Sequence, residues 1–483
     1  MRRFACILLL VCLAFAMPAF AHHIKTGATK TMPLTTSSPK ARDLYERAMT
    51  DYENLYLERA NLGWRAAAEA DPNLALAFAW IAFNSRNPAE ASAAREKAKA
   101  LAAKASPGEQ LMVQWITNVQ ETKFIAGIAA MNDMLEMYPK DKRLAYLVGN
   151  WLMLVGDYER AGKLFERALA LDKNYPAALN DLAYAYARDR HYNQAFDAMQ
   201  RYIVVLPNQP NPQDSYAEIL RMSGNYEGAL EHYRAALKID PGFVSSQLGL
   251  ADTYALMGNQ AQARAEYDKA IQSASTDADR LDYGLQKAAT WAREGNLAEA
   301  DKAFLAVAER AHASGIDLEE AQAHRSMSLY QTDDAVALKH LEAAEDALSH
   351  QANIAQSDKD QELARILQYR AVRASHSGNQ ELADKTLHQL ETMAGSSRDM
   401  IVQSCYHGAA GALLVAKEKF ADAIPHLEED RDNPYSMALL SRAYSETGAN
   451  DKMHEIEARL RSTNAATMEQ AMVVPAARAK RPE

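Results

Sequence analysis

Cysteine is nearly absent from this sequence, with three copies among 483 residues. So few cysteines cannot form the disulfide framework that stabilises small secreted domains, and the fold must be held together by packing. Glycine (20) and proline (16) are also scarce for this length, which argues against many short strands joined by tight turns. Alanine, the best helix former, is abundant. The composition therefore favours a helical protein.

Basic residues are outnumbered, with 53 lysines and arginines against 63 aspartates and glutamates and a formal net charge of −10. Nucleic-acid binding depends on an excess of basic side chains that neutralise phosphates, so we expect no nucleic-acid partner. Hydrophobic residues make up 48% of the chain and charged residues 24%. That balance is typical of a folded globular chain and excludes general disorder.

The one long apolar run lies at the N-terminus, where residues 1–21 have the pattern of a secretory signal peptide. Two arginines precede an apolar stretch, Ala5–Ala16, and Ala19-Phe20-Ala21 supplies a small-x-small cleavage site. The stretch is shorter than the roughly 20 residues that cross a membrane, and no later segment is long and apolar enough, so we expect no membrane span in the mature chain. The sequence predicts an exported protein, in the periplasm of a Gram-negative bacterium or, alternatively, secreted.

Cys405 is the only cysteine that remains after removal of the signal peptide, which excludes an internal disulfide even in an oxidising compartment. Cys12 raises the alternative of a lipoprotein signal, but Val11 stands where such signals carry a small residue. His22 and His23 would form the new N-terminus, where an amine and an imidazole can chelate copper. Such a site lacks a third ligand, so we predict no metal and leave copper binding as an alternative.

A 34-residue period runs through the middle of the chain, and such self-similarity is typical of repeat proteins. Four windows align without a gap: 142–175, 176–209, 210–243 and 244–277. Their eighth position is small and their twentieth is always alanine, as in Gly149, Ala183, Ala217 and Ala251, and then Ala161, Ala195, Ala229 and Ala263. Their twenty-fourth position is large and apolar: Phe165, Met199, Tyr233 and Tyr267.

Each window is expected to form two helices of about 12–14 residues joined by a tight turn. Glycine supplies the turn in three windows, as Gly156, Gly224 and Gly258, and Arg190 is the exception. Small residues at positions 8 and 20 let the paired helices approach closely, and the large residue at position 24 fills the space around that contact. Because one pair cannot bury its own apolar face, successive pairs must stack into a solenoid.

These windows resemble the tetratricopeptide repeat (TPR) family. Gly156-Asp157-Tyr158-Glu159-Arg160-Ala161 and Gly224-Asn225-Tyr226-Glu227-Gly228-Ala229 match its central signature, and Ala236-Leu237-Lys238-Ile239-Asp240-Pro241 matches its repeat end. The resemblance implies an all-α fold, a right-handed α-solenoid of stacked antiparallel helix pairs. Weaker windows extend the pattern from Ala41 to Arg461, about twelve windows in all.

The strength of the repeat pattern divides the chain into predicted segments. Residues 350–359 are mostly polar and suggest a longer loop between two halves, and the sequence leaves open whether those halves pack continuously. The segments are 22–40 as a flexible N-terminal linker, 41–314 as the regular solenoid (strongest over 142–277), 315–461 as degenerate repeats and 462–483 as a flexible tail.

No catalytic motif occurs in the chain: phosphate loop, dinucleotide fingerprint, metalloprotease helix and nucleophile elbow are all missing. Cys405 and His407 are two residues apart, so on a helix they diverge, and we predict a buried structural cysteine. His340 and His426 each begin an H-x-E pair, but no cysteine pair follows, which excludes a zinc deaminase. We predict no enzyme and no cofactor, and an unrecognised active site within 315–435 is the enzymatic alternative.

By the resemblance, the first helix of each pair lines a concave surface, and repeat positions 2, 5, 6, 9, 12 and 13 point into it. Those positions carry amide, carboxylate, guanidinium and phenol groups that suit hydrogen bonding to an extended peptide, although each one is also an ordinary solvated side chain. The family's clamp for a C-terminal carboxylate is not reproduced. The predicted groove residues are Asn150, Asn180, Asp181, Tyr184, Arg188, Asp214, Glu218 and Arg221.

We therefore expect a non-catalytic scaffold or adaptor of the cell envelope that binds protein or peptide segments in its concave groove. The alternative is an assembly factor for a pilus, secretion or polysaccharide-export complex. Because specificity in this family lies in a few side chains on a shared frame, the sequence does not identify the partner, the biological process or the oligomeric state.

Overall fold

The computed structural model describes residues 31–479, except 54–55, 86–87, 122, 350–355 and 398. All regular secondary structure in the described residues is helical and comprises 25 helices. Helices α1 to α24 form twelve antiparallel pairs, and α25 follows the last pair alone. The predicted all-α solenoid of helix pairs is confirmed. None of the described helices combines the length and apolarity that crossing a bilayer requires.

The pairs follow one another in chain order. The first six are α1 (Pro39–Glu53) with α2 (Leu57–Ala70), α3 (Ala75–Asn84) with α4 (Pro88–Ala102), α5 (Pro107–Gln120) with α6 (Phe124–Met137), α7 (Lys142–Leu154) with α8 (Tyr158–Leu171), α9 (Pro176–Arg188) with α10 (Tyr192–Val205), and α11 (Pro210–Ser223) with α12 (Tyr226–Ile239). The others are α13 (Val244–Leu256) with α14 (Gln260–Ser273), α15 (Asp277–Arg293) with α16 (Leu297–Ser314), α17 (Asp317–Tyr330) with α18 (Asp334–Ser349), α19 (Gln356–His376) with α20 (Gln380–Ser396), α21 (Met400–Ala416) with α22 (Phe420–Glu429), α23 (Pro434–Glu446) with α24 (Asn450–Arg461), and the single α25 (Met468–Ala479).

The predicted contact between paired helices is confirmed in the four regular windows. The alanines at the eighth and twentieth positions are buried, and so is the large side chain at the twenty-fourth. Gly149 shows why the eighth position is small: a Cβ added there would lie 2.6 Å from Cε1 of Phe165. Side-chain size therefore sets how closely the two helices of a pair approach.

The turns between paired helices use a left-handed backbone conformation. Gly156, Gly224 and Gly258 have φ values of +76°, +90° and +85°, which glycine adopts without steric penalty. Arg190 takes the same conformation, with φ of +63°, despite its Cβ. Its guanidinium donates a 2.6 Å hydrogen bond to Oγ of Ser462. The exception to the glycine pattern therefore coincides with a contact between the middle repeats and the C-terminal segment.

The described parts of the segments that flank the repeats, 31–38 and 462–479, make contacts with the repeats, which differs from the flexible linker and tail that the sequence predicts. At the N-terminal side, the amide of Met32 donates to Asp141 at 2.9 Å and the amide of Thr35 to Glu109 at 2.8 Å. At the C-terminal side, Val474 of α25 is fully buried. The repeat period reports only positions within helix pairs, so it does not reveal these contacts. The predicted signal peptide and the histidine pair behind it lie outside the described residues.

The repeats continue across the predicted boundary between 314 and 315, because α16 packs on α17 and α15 also contacts α17. A short insertion in the 34-residue register, near Asp277, is absorbed by longer helices, so that α15 and α16 have 17 and 18 residues. Of the polar stretch predicted as a loop, residues 356–359 begin α19, and 350–355 lie outside the described residues.

Cys405 is buried in α21, as predicted. Burial raises the pKa of its thiol, which disfavours the reactive thiolate. His407 lies on the same helix but pairs with His426 of α22, their Nδ1 atoms 2.9 Å apart. The thiol and the imidazole therefore have separate surroundings, and Cys405 is a structural residue.

The solenoid winds far enough for its last residues to reach its middle repeats. The hydroxyl of Tyr226 donates to Oδ1 of Asn464 at 2.6 Å, across 238 positions of the chain. Nδ2 of Asn464 in turn donates to the carbonyl of Met222 at 3.1 Å. From this point the chain turns into α25, which runs along the first helices α15, α17 and α23.

Candidate functional site: the concave groove

The first helices of the middle pairs lie side by side and form one continuous surface. In the middle of the chain α7, α9, α11, α13 and α15 each contact the next. Helices α9 and α11 begin at Pro176 and Pro210, where the fixed φ of proline is already helical and its missing N–H is not needed. These starts keep the inward-facing positions of neighbouring helices in register, so that their side chains meet.

Asp181 of α9 is the centre of the first group of predicted groove residues. Nδ2 of Asn150, on α7, donates to Oδ2 of Asp181 at 3.1 Å, and Nδ2 of Asn180 donates to Oδ1 at 3.0 Å. Burial raises the pKa of Asp181, and the donors Asn180, Asn150 and Tyr146 act in the opposite direction. The carboxyl group therefore connects α7 to α9.

Tyr184 and Arg221 form the second group, across α9, α11 and α13. The hydroxyl of Tyr184 donates to Oε2 of Glu218 at 2.6 Å. Arg221 pairs with Glu218 at 3.5 Å and also donates to Asp252 of α13. Burial, with the charge of Glu218 beside it, raises the pKa of Tyr184 well above its usual value, so the phenol remains a donor.

Asp214 of α11 accepts a 2.6 Å hydrogen bond from Oγ of Ser246 on α13. With the bonds above, seven of the eight predicted residues join a ladder of polar contacts that runs from α7 to α13. Arg188 is exposed at the end of α9, and no hydrogen bond links it to the others in the described structure. The polar ladder thus braces neighbouring repeats, and its role in partner binding stays a prediction.

A cleft at the N-terminal end of the same surface was not predicted from the sequence. It adjoins the polar ladder at Asn150, which belongs to both, and its rim exposes Leu154 (64%) and Phe83 (36%). The sequence does carry a signal, because Trp80, Trp115 and Trp151 recur about one repeat apart. The aromatic cleft is lined by Tyr52, Trp80, Phe83, Trp115, Ile116, Val119, Leu147, Asn150, Trp151 and Leu154.

The floor of the aromatic cleft is closely packed. Trp80 stacks on Trp64 with ring centroids 5.5 Å apart and an interplanar angle of 17°. Nε1 of Trp80 donates to the hydroxyl of Tyr45 at 3.1 Å. Both indoles are almost fully buried, and buried aromatic contacts of this kind add to the stability that area alone supplies. The cleft therefore presents a fixed apolar surface beside polar groups that are themselves fixed.

Asp214 gives the polar ladder a pH dependence that can be measured. Burial raises its pKa to about 6, although the Ser246 hydrogen bond lowers it. In an unfolded chain this carboxyl group releases its proton near pH 4. The contribution of protonated Asp214 to the stability of the fold is therefore complete below pH 4 and is lost as the pH rises through about 6. We expect Asp214→Asn to gain up to about 2 kcal/mol relative to the unaltered chain between pH 4 and 7, measured by thermal unfolding in circular dichroism.

Ser246→Ala is the control for this pH dependence, because it keeps the carboxyl group and removes its donor. Since that donor lowers the pKa of Asp214, we expect the pH-dependent loss of stability to extend to higher pH in this variant. If the difference in stability between Asp214→Asn and the unaltered chain is the same at every pH, the pKa of Asp214 is not raised in the folded protein.

Comparison with known proteins agrees with the architecture. The stacked helix pairs and their concave face define the class of α-solenoid repeat proteins. A model of the tetratricopeptide repeat family matches residues 152–219 and 220–287. Residues 152–287 therefore contain tetratricopeptide repeats, which confirms the resemblance read from the sequence. This fold is in general one of protein–protein interaction and is typically non-catalytic. No curated protein matches the sequence.

Several solved structures are similar to parts of this chain. The MamA protein is 20% identical with a TM-score of 0.31, over 34% of this chain and 91% of that one. A tetratricopeptide repeat protein from Parabacteroides merdae is 16% identical with a TM-score of 0.35, over 56% and 92%. YrrB, described as a TPR protein with an unusual peptide-binding site, is 17% identical with a TM-score of 0.28, over 37% and 91%.

Proposed function

We propose that this protein is a non-catalytic scaffold or adaptor of the cell envelope that binds a segment of a partner protein along its concave surface. The partner segment packs an apolar side chain against the rim of the aromatic cleft, at Leu154 and Phe83, and runs its polar backbone along the polar ladder. The observation that carries this proposal is the position of Asn150, which lines the aromatic cleft and also donates to Asp181. The apolar and polar parts of the groove are therefore continuous.

The chemistry of the aromatic cleft suits a protein partner. Trp151 and Trp115 line it, and tryptophan is enriched among the residues that dominate binding energy in protein interfaces. Leu154 and Val155 expose 64% and 46% of their surface at the end of α7, so a ligand that covers them removes apolar area from water. Because the floor is already packed around Trp80 and Trp64, binding does not have to order those side chains.

The polar ladder suits a neighbouring stretch of peptide backbone. Glu218 keeps 40% of its side chain exposed while it accepts from Tyr184. A carboxylate held in this way can accept a further hydrogen bond from a backbone amide without having to be ordered first. The polar ladder therefore orients the bound peptide, and the aromatic cleft supplies most of its affinity.

A substitution at the rim of the aromatic cleft tests this assignment. We expect Leu154→Ala to weaken binding of the envelope partner by roughly tenfold, about 1.4 kcal/mol, because an exposed apolar anchor is lost. The partner is first identified by cross-linking in intact cells and mass spectrometry, and its affinity is then measured by titration calorimetry. The loss of stability is expected to be small, because Leu154 is largely exposed.

Ile125→Ala is the matched control for the rim substitution. Ile125 is 89% exposed on α6, the second helix of its pair, and does not line the aromatic cleft. We expect its affinity for the partner to equal that of the unaltered chain. Equal losses in the two variants, or no loss in either, would refute binding in the cleft.

The envelope location rests on the sequence pattern of residues 1–21 and is tested by cell fractionation of the full-length protein. Recovery in the cytoplasm with residues 1–21 still attached would refute it. The narrower role as an assembly factor would be favoured if gene deletion removed one pilus, secretion or export structure and left general envelope integrity intact.

A further inference from the structure

Helix α25 lies on the concave face of the second half of the solenoid. It contacts α15, α17, α23 and α24, and Tyr369 of α19 bonds to it. All of these except α24 are first helices of their pairs. A thirteenth repeat helix would contact only the pair before it, whereas α25 also reaches α15, α17 and α19 of earlier pairs, so it lies along the groove as a ligand would. The chain thus places one of its own helices where this fold binds partners.

The groove recognises the polar start of α25 through specific bonds. The hydroxyl of Tyr369 donates to Oε1 of Glu469 at 2.7 Å, and Nη1 of Arg325 lies 3.7 Å from the same oxygen. Arg293 donates to Oε1 of Gln470 at 2.6 Å and to the carbonyl of Thr467 at 2.7 Å. The groove therefore binds a carboxylate through a phenol and a guanidinium. A second guanidinium binds the neighbouring side-chain amide.

The apolar side of α25 fills the rest of the contact. Met468, Ala471 and Val474 are buried at i, i+3 and i+6, along one side of the helix. Met468 joins the core of the repeats around α17, and Val474 joins the core around α23. The helix is thus bound by a cationic end and an apolar floor, and both features define the chemistry of what fits there.

Helix α25 has features of an exchangeable ligand. It has 12 residues and a proline inside, Pro475, which removes one helical hydrogen bond. A helix of this length is marginal in water without tertiary contacts. The helix therefore depends on its contacts with the groove to stay folded. The cost of ordering the segment makes its docking weaker than the contacts alone would give.

We propose that the concave surface of α15, α17, α19 and α23 is a helix-binding groove, that α25 occupies it as an internal ligand, and that a partner helix with the same chemistry displaces it. The partner helix presents a carboxylate to Arg325 and Tyr369 and small or unbranched apolar side chains to the floor. This inference goes beyond the proposed function, because it concerns a different stretch of the concave face. Either one can fail without the other.

The test uses the full-length protein in which Glu469→Arg and Val474→Asp together release α25. The probe is a fluorescent peptide of residues 462–479. We expect this peptide to bind the released protein at least about tenfold more tightly than the unaltered protein, in which α25 competes for the same surface. A peptide that carries Glu469→Arg is expected to bind neither protein. Equal binding of both peptides to the released protein, or binding of neither, overturns the proposal.

A milder pair of variants covers the case in which the released protein fails to fold. Tyr369→Phe removes the donor to Glu469, and Tyr435→Phe removes a hydroxyl that donates instead to the carbonyl of Leu329 at 3.3 Å. We expect Tyr369→Phe to speed amide exchange in 468–479 by about tenfold or more, the effect of one lost hydrogen bond to a charged group. Tyr435→Phe is expected to leave that exchange unchanged. Equal exchange in the two variants would show that Glu469 is not recognised and would overturn the proposal.

Discussion

Arg325→Met is expected to lower the stability of the second half of the solenoid by about 3–5 kcal/mol, because it leaves a buried carboxylate without its partner. Nε of Arg325 donates to Oε1 of Glu362 at 2.5 Å, and the side chain of Glu362 is only 1% exposed. The nearest other cation, Arg365, reaches the second carboxylate oxygen at 3.6 Å and is itself a third exposed. Urea unfolding followed by circular dichroism measures the loss.

A double variant separates the buried charge from the lost packing. We expect Arg325→Met combined with Glu362→Leu to recover most of the stability, because apolar pairs of similar volume replace buried ion pairs at little net cost. The coupling between the two sites is then several kcal/mol in a double-mutant cycle. Independent, additive losses at the two sites would show that the ion pair does not join α17 to α19.

Gly249→Ala is expected to destabilise the middle repeats by about 2–3 kcal/mol, because the site is already filled. A Cβ on Gly249 would lie 2.3 Å from Cε1 and from Cζ of Tyr233. Tyr233 is 2% exposed, so its ring has no open space into which to move. The contact joins α12 to α13, and amide exchange should therefore accelerate on both sides of that boundary between repeats. Thermal unfolding measures the overall loss.

Gly162→Ala is the matched control for Gly249→Ala. It lies inside α8, and the nearest atom to an added Cβ is Cδ1 of Leu182 at 3.8 Å, which is an ordinary contact distance. Alanine is a better helix former than glycine by about 0.5–1 kcal/mol, so we expect this variant to be more stable than the unaltered chain. Losses of the same size in the two variants would mean that the tight approach at Tyr233 is not the cause.

The 34-residue sequence pattern predicted most of the fold, because it depends on how the two helices of one pair pack against each other. Small residues at the eighth and twentieth positions predicted where paired helices touch, and Gly149 against Phe165 shows the distance that requires them. Turn glycines predicted where first helices end, and Arg190, the exception to that pattern, was found only in the structure to adopt the same left-handed backbone. These features depend on residues within one 34-residue window, so one sequence is enough to find them.

The candidate site was predictable only in part. The resemblance identified side chains such as Asp181 and Tyr184 as facing inward, and they do meet their neighbours across helices. Which group each one bonds to was not predictable, because that depends on the spacing between adjacent pairs. The aromatic cleft combines residues of α1, α3, α5 and α7, so its shape depends on how tightly those four helices curve around one another.

From the sequence alone came the helix content, the pairing of helices, the likeness to tetratricopeptide repeats and the acidic, cysteine-poor character of the chain. Only the tertiary structure showed that Asn464 bonds to Tyr226 and that α25 fills part of the concave face. The physical reason is that each repeat adds a small rotation to the solenoid, and contacts between distant repeats depend on the sum of those rotations. No single window carries that sum, so the 34-residue pattern cannot predict it.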